Sequence, residues 1–181
     1  VDAAIRIAYK TARKSAADPL SRSNTGDNTP AVLHVRLVKG DKLTLHFLAK
    51  GAGSENMSRM YMLPPSRGRA GIVESVVDCV KIAGANPCPP IVLGVGVGGN
   101  FELAALLSKR ALIEPIDNRH APDLEREILS AVNATGIGAQ GFGGTTTALE
   151  ARVLTAPTHI GMLPVAVNVQ CHSVRHCTLV L

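Results

Sequence analysis

Cys88 stands in the stretch GANPCPPIVLGVGVGGNFE, residues 84–102, between prolines and ahead of a run of small apolar residues and glycines. Proline fixes its own φ and steers the residue before it away from the α region, so Asn86, Cys88 and Pro89 are expected to be extended. The thiol is then held on a stiff backbone that is neither helix nor strand interior. The other cysteines are Cys79, Cys171 and Cys177, and the successive spacings of 9, 83 and 6 contain no CxxC pair. Disulfide staples and ordinary zinc ribbons are therefore poor readings. Cys79 falls in the apolar stripe of a helix and is expected in the core. Cys171 ends an apolar strand and opens CHSVRHC, where turns should begin, while Cys177 precedes TLVL and is a further core candidate. A zinc site from Cys171, His172, His176 and Cys177 is the local alternative, since a His pair at i, i+4 can share one helix face. Adjacent Cys171 and His172 would need unusual geometry there.

Two other side chains can take part in acid–base or carboxylate chemistry. His159, in APTHIGMLPVAV, lies on a loop before a strand and could orient or transfer a proton, or serve only as a structural hydrogen-bonding group. Arg13 can grip a carboxylate with its planar fork, or be a solvated helix-end cation. Three glycine-rich segments, KGAGS at 50–54, GVGVGGN at 94–100 and GIGAQGFGG at 136–144, could bring backbone amides up to an anion. Each is also a plain turn. GVGVGGN is neither a Walker A loop nor a full GxGxxG with its acidic partner. Together the three segments suggest a backbone-lined pocket.

The elements that must position these groups follow from periodicity and punctuation. Residues 2–16 are amphipathic with Arg6, Lys10, Arg13 and Lys14 toward the C-terminal half, which predicts a helix. DPLSRSNTGDNTP is loop. AVLHVRLV and KLTLHFLA alternate around KGD, which predicts a hairpin of strands 31–38 and 42–49. Residues 50–68 read as loop, and 70–84 as a helix with Ile72, Val76, Cys79 and Val80 inward and Gly84 as C-cap. A buried strand at 91–97, a helix over 101–112, a helix after Pro122, a strand in TTTALEARVLTA and a last strand LPVAVNVQC complete the series. The expected fold is α/β, with mixed sheet flanked by helices and glycine-rich loops lining one side of an active site.

Composition agrees with a single domain over residues 1–181: 46% of the chain is hydrophobic, enough for a real core. With no Trp, two Tyr and three Phe, Val, Leu, Ile and Ala must fill the interior. The net charge of +5 comes with no basic run and few aromatics to stack on bases, so a small anionic substrate is expected rather than nucleic acid. Without an apolar run of membrane length or a signal-peptide pattern, a cytoplasmic protein with reduced thiols is expected. The chain opens at Val1 with a helical pattern already under way, which suggests upstream sequence.

SRSNTGDNTPA, KGAGSENMS, ANPCPPIVLGVGVGG, GIGAQGFGGTTTAL and THIGMLPVAVNVQCHSVRH, in this order and almost end to end, resemble the N-terminal domain or α subunit of the class I iron–sulfur fumarate hydratases and the related L-tartrate dehydratases. The resemblance implies a [4Fe-4S] cluster on three cysteines, two of them Cys88 and Cys171. The third belongs to an upstream CQDTG motif that this chain lacks. It further implies substrate contacts from Arg13, in ARKS where the family has LRxS, and from the backbone of Gly53, with Ala52 replacing a glycine. His159 matches the histidine of HIAGLPVA, with Gly161 and Met162 varying the pattern, and is implied to orient substrate or tune a carboxylate. The remaining site groups belong to a C-terminal domain or β subunit. A small dicarboxylate is the implied substrate, hydrated reversibly as fumarate to L-malate, or a tartrate or methylated analogue. An oligomer and an inactive isolated chain are expected. A catalytically silent fragment or a zinc module on CHSVRHC are the readings from other classes.

Overall fold

The computed structural model describes residues 2–8, 15–114 and 120–181. The chain divides into two compact units, Val1–Asp41 and Lys42–Leu181. The first holds α1 (Asp2–Ala8) and the turn-rich loop. The helix expected over 2–16 is described only to Ala8, and Ser15 and Ala16 are not helical. The loop is organised by side chains that mimic turns. Asp18 Oδ1 accepts from the backbone N–H groups of Leu20 (3.0 Å) and Ser21 (2.7 Å), and Asn28 Oδ1 accepts from those of Ser15 (2.6 Å) and Ala16 (3.1 Å).

The hairpin expected at 31–49 does not form. Residues 31–38 have no ladder partner, and Val32 and Leu37 are almost wholly exposed. Residues Thr44–Leu48 do make a strand, β1, but it pairs antiparallel with β6 (His176–Val180). The register sets Leu45 opposite Leu179 and Phe47 opposite Cys177 on one face. The other face carries a hydrogen bond between His46 Nδ1 and Thr178 Oγ1 at 2.9 Å. Cross-strand pairing with a distant segment outcompetes the short turn that KGD offered.

The rest of the second unit is built on a four-stranded sheet of order β2-β5-β3-β4, with β2 (Arg59–Leu63), β3 (Ile91–Gly98), β4 (Ala148–Ala156) and β5 (Leu163–Gln170). β3 runs parallel to β4, whereas β5 is antiparallel to both β2 and β3. The fold class is therefore α/β with a mixed sheet. One face carries Ile91, Leu93, Val95, Val153, Val165, Val167 and Val169, all buried. It packs against α3 (Gly68–Ala83), which contributes Ile72, Val76, Cys79 and Val80, and α5 (Pro122–Asn133), which contributes Leu124, Ile128 and Val132. These are the stripes that 3.6-residue periodicity selects. Gly84, at φ 53, ends α3 as expected.

The opposite face receives α4 (Phe101–Ala111) at close range. A methyl at Gly94 would lie 2.1 Å from the Ser108 carbonyl oxygen, and one at Gly96 would lie 2.0 Å from that of Ala104. The alternating glycines of IVLGVGVG let a helix backbone rest on a strand backbone. α4 starts at Asn100, whose Oδ1 accepts from the Leu103 N–H at 3.0 Å. The segment 50–68, expected as loop, contains a one-turn helix, α2 (Ala52–Glu55), and β2, which finds its partner more than 100 residues downstream in β5. Among the described residues no helix is long and apolar enough to cross a membrane.

Candidate functional site

The antiparallel register of β3 and β5 sets Val92 opposite Gln170. Cys88 precedes β3 by three residues and Cys171 directly follows β5, so both thiols stand at the same end of the sheet. His172 ties the two segments together, its Nδ1 lying 3.2 Å from the Cys88 carbonyl oxygen. Cys88 is exposed and Cys171 half-buried. The expectation of an extended Cys88 is overturned, because its φ is +57. The turn that closes α3 overrides the pre-proline preference: the Asn86 N–H donates to Ala83 O (3.1 Å) and the Cys88 N–H to Ala85 O (3.0 Å).

The other two cysteines serve differently. Cys79 is wholly buried in α3, its Sγ donates to Met57 O at 3.3 Å, and burial pushes its thiol up to about 12. Cys177, a core candidate in the sequence, is exposed on β6, like the other four residues of that strand. His176 and Cys177 are strand neighbours and point to opposite faces, so CHSVRHC is no helical His pair. Among the described residues no three or more His, Cys, Asp or Glu side chains gather as a metal centre.

Two of the three glycine-rich segments converge on the cysteine end. In GIGAQGFGG the Gln140 N–H and side-chain amide both donate to Pro89 O, at 2.8 and 3.0 Å. A methyl on Gly141 would meet Ala85 Cβ at 2.6 Å, so this loop wraps the turn that carries Cys88. In KGAGS, Gly53 sits beside the same turn, with Asn86 O 3.7 Å from where a Cβ would stand.

Lys50, the first residue of that segment, is the most buried cation at this end, its side chain 8% exposed. Its ammonium donates to Val169 O (2.6 Å) and Ser54 Oγ (3.2 Å) and pairs with Glu55 Oε2 (2.9 Å). Burial pulls the Lys50 ammonium below its ordinary range, opposed chiefly by the Glu55 carboxylate and more weakly by the Cys171 thiol. Glu55 also accepts from Lys109 of α4, at 2.7 Å and 2.5 Å. Burial pushes the Glu55 carboxyl up, but its bonds from Lys109 and Lys50 outweigh that and hold it below the usual carboxylate range. No sequence period announces a buried lysine; the only cue was a cation followed by three small residues and a serine.

His159 and GVGVGGN lie at the other end of the sheet. Gly99 N–H donates to Pro157 O (3.2 Å) and Thr158 Oγ1 to Gly99 O (2.8 Å), which joins the end of β3 to the β4–β5 loop. His159 Nδ1 accepts from the Gly161 N–H at 3.0 Å, and the exposed ring borders a groove of about 410 Å³ with Arg69, Ile72, Leu124 and Met162. The eight residues of β5, at about 3.3 Å each, put about 26 Å between this end and Cys171. Arg13 lies outside the described residues.

Chemically, the cysteine end offers two soft thiol donors from segments 83 residues apart, backbone N–H groups of two glycine-rich turns, and a buried ammonium. Such thiols suit a soft metal or two corners of an iron–sulfur cluster, and the exposed Cys88 leaves the site open on one side.

The fold is α/β, and one end of its mixed sheet carries two free thiols, Cys88 and Cys171, beside two glycine-rich turns. Residues 1–180 match the family model described as fumarate hydratase (Fumerase), and the chain belongs to that family. It is 40% identical over 173 residues to a putative L(+)-tartrate dehydratase subunit alpha of Methanocaldococcus jannaschii, covering 90% of this chain and 60% of that protein. It is 33% identical over 162 residues to the L(+)-tartrate dehydratase subunit alpha of Escherichia coli O157:H7, covering 87% and 54%. The chain thus spans between half and two thirds of the length of these curated relatives.

Proposed function

We propose that this chain forms the thiol-bearing part of an iron–sulfur hydro-lyase that hydrates fumarate reversibly to L-malate. The observation that carries this reading is that Cys88 and Cys171 stand at one sheet end, bordered by the 50–55 and 136–144 turns. Dehydration of a 2-hydroxy acid must expel hydroxide, a poor leaving group since water has a pKa of about 15.7. A [4Fe-4S] cluster held in part by Cys88 and Cys171 would supply the Lewis acid that this departure needs. Cys88 and Cys171 would be two of its ligands, with the third thiolate supplied by protein outside these residues. The substrate is a four-carbon dicarboxylate, and the backbone at Gly53 binds one of its carboxylates. His159 orients substrate or a carboxylate; given the length of β5, it reaches this site only from a second copy of the chain.

The relatives' names supply the second reading, L-tartrate as substrate, which asks the same chemistry of the same residues. Their designation as alpha subunits supports a beta-subunit partner, or an equivalent C-terminal domain, that carries the remaining substrate contacts.

Anaerobic reconstitution of the full-length protein and its partner with iron and sulfide tests the reading. Cluster absorbance is expected in the assembly and lost in Cys88→Ser and in Cys171→Ser, with turnover of L-malate or L-tartrate lost alongside. An unchanged cluster in both serine variants would overturn it.

A further inference from the structure

β5 outlasts its neighbour. The β2–β5 ladder ends at Arg59 opposite Val167, yet β5 continues to Gln170 before delivering Cys171. The backbone groups of Val169 on that side have no strand to meet, and buried backbone groups require partners. Two side chains supply them. The Val169 N–H donates to Ser58 Oγ at 3.1 Å, and Lys50 Nζ donates to Val169 O at 2.6 Å. An ammonium has three N–H donors, and the other acceptors within reach are Ser54 Oγ and Glu55 Oε2 in the next turn. That turn is itself closed, as Ser54 Oγ donates to Gly51 O at 3.0 Å and Glu55 is gripped by Lys109 from α4.

We propose that Lys50 is a positioning residue: its ammonium stands in for a strand beside Val169 and locks the Cys171 end of β5 to the 51–55 turn, so that the thiol and the Gly53 backbone face one site. This rests on the reading of Cys171 as a cluster ligand. Lys50 touches neither substrate nor cluster in this role. It sets where Cys171 stands, and its burial keeps the clamp out of competition with water.

The chain carries its own control for mere unfolding. Cys79 is wholly buried in the core, Cys88 is exposed at the same sheet end, and Cys171 is the thiol in question. In the full-length protein before reconstitution, iodoacetamide labelling of the three cysteines is followed peptide by peptide in wild type, Lys50→Met, Lys50→Arg and Lys109→Met. Lys50→Met should raise Cys171 labelling relative to Cys88 about tenfold, the size expected when a charged hydrogen bond that suppresses local opening is lost. Cys79 should stay protected. Lys50→Arg, which keeps the cation and its donors, should return the ratio to within about threefold of wild type, and Lys109→Met, which leaves Val169 untouched, to within about twofold. An unchanged ratio in Lys50→Met, or Cys79 labelled as fast as Cys171, would overturn the proposal. Reconstitution separates the two levels. Wild type that takes up no iron and sulfide while the labelling ratio shifts removes the cluster reading and leaves the clamp. Uptake that is equal in wild type and Lys50→Met, with an unshifted ratio, removes the clamp and leaves the cluster.

Discussion

Gly96→Ala probes the contact on which the α4 side of the sheet depends. The new methyl would lie 2.0 Å from Ala104 O, 2.6 Å from Ser108 N and 2.9 Å from Leu107 Cβ. Ordinary van der Waals contact starts at 3.4 Å, so α4 must retreat from β3 by about 1.4 Å (3.4 − 2.0). Two of the three obstructing atoms are backbone, and no rotamer change relieves them. Nor can the helix simply tilt away, since Asn100 caps its start and Lys109 binds Glu55 near its end. Overpacking a dense core costs about 1–3 kcal/mol, and a backbone clash belongs at the upper end. For a unit of this size about 3 kcal/mol corresponds to a drop in Tm of roughly 10 °C. Gly51→Ala is the matched control: its added methyl meets nothing within 4 Å and its φ of −74 suits any residue. Urea and thermal unfolding of both variants against wild type give the comparison. A Gly96→Ala protein within about 0.5 kcal/mol of wild type would refute the claim that these glycines exist to seat α4.

Two smaller perturbations test the same packing. The folded protein keeps Cys79 protonated up to about 12, whereas the unfolded thiol ionises near 9.0, so its contribution is complete below pH 9 and is lost as pH rises toward 12, by about 4 kcal/mol in all. Cys79→Ala should be less stable at neutral pH but lose stability less steeply between pH 9 and 12; equal slopes in the two proteins would exclude the thiol as the source. Asn100→Ala removes the α4 cap and should cost about 1 kcal/mol in urea unfolding, with Asn100→Asp close to wild type; an Ala variant as stable as the Asp variant would show that the cap bond contributes nothing.

The sequence makes some of this legible and hides the rest for identifiable reasons. α3, α4, α5, β3, β4 and β5 are written locally, in the Ile72–Val76–Val80 stripe, the Asn100 cap, Pro122 at the start of α5 and the apolar run from Ile91. β1 is found as a strand, but its partner is not, because a strand pattern does not say which edge it meets, and the nearest candidate at 31–38 loses to β6. Cys88 would be extended by the proline rule alone but stands at φ +57, since a turn hydrogen bond two residues after α3 decides its conformation. Lys50 gives no periodic signal, because its burial depends on Val169 running past the end of β2, a fact of register and not of composition.

The fate of the three glycine-rich segments shows why spacing alone does not assemble a site. All three have the same composition signature, and sheet topology sorts them. KGAGS precedes β2 and GIGAQGFGG precedes β4, and both meet the turn that leads Cys88 into β3. GVGVGGN is part of β3 itself and leaves the sheet at its other end. Its glycines are each accounted for by packing: Gly94 and Gly96 seat α4, a Cβ at Gly98 would stand 1.9 Å from Ala156 O, and Gly99, at φ +70, turns the chain into α4. The sequence therefore contains one glycine pattern for helix-on-strand contact and two for exposed turns, and only the turns share a sheet end with both thiols. The groove at His159 lies at the opposite end of the sheet, so within one copy of the chain it is a separate surface from the end where β3 begins and β5 ends.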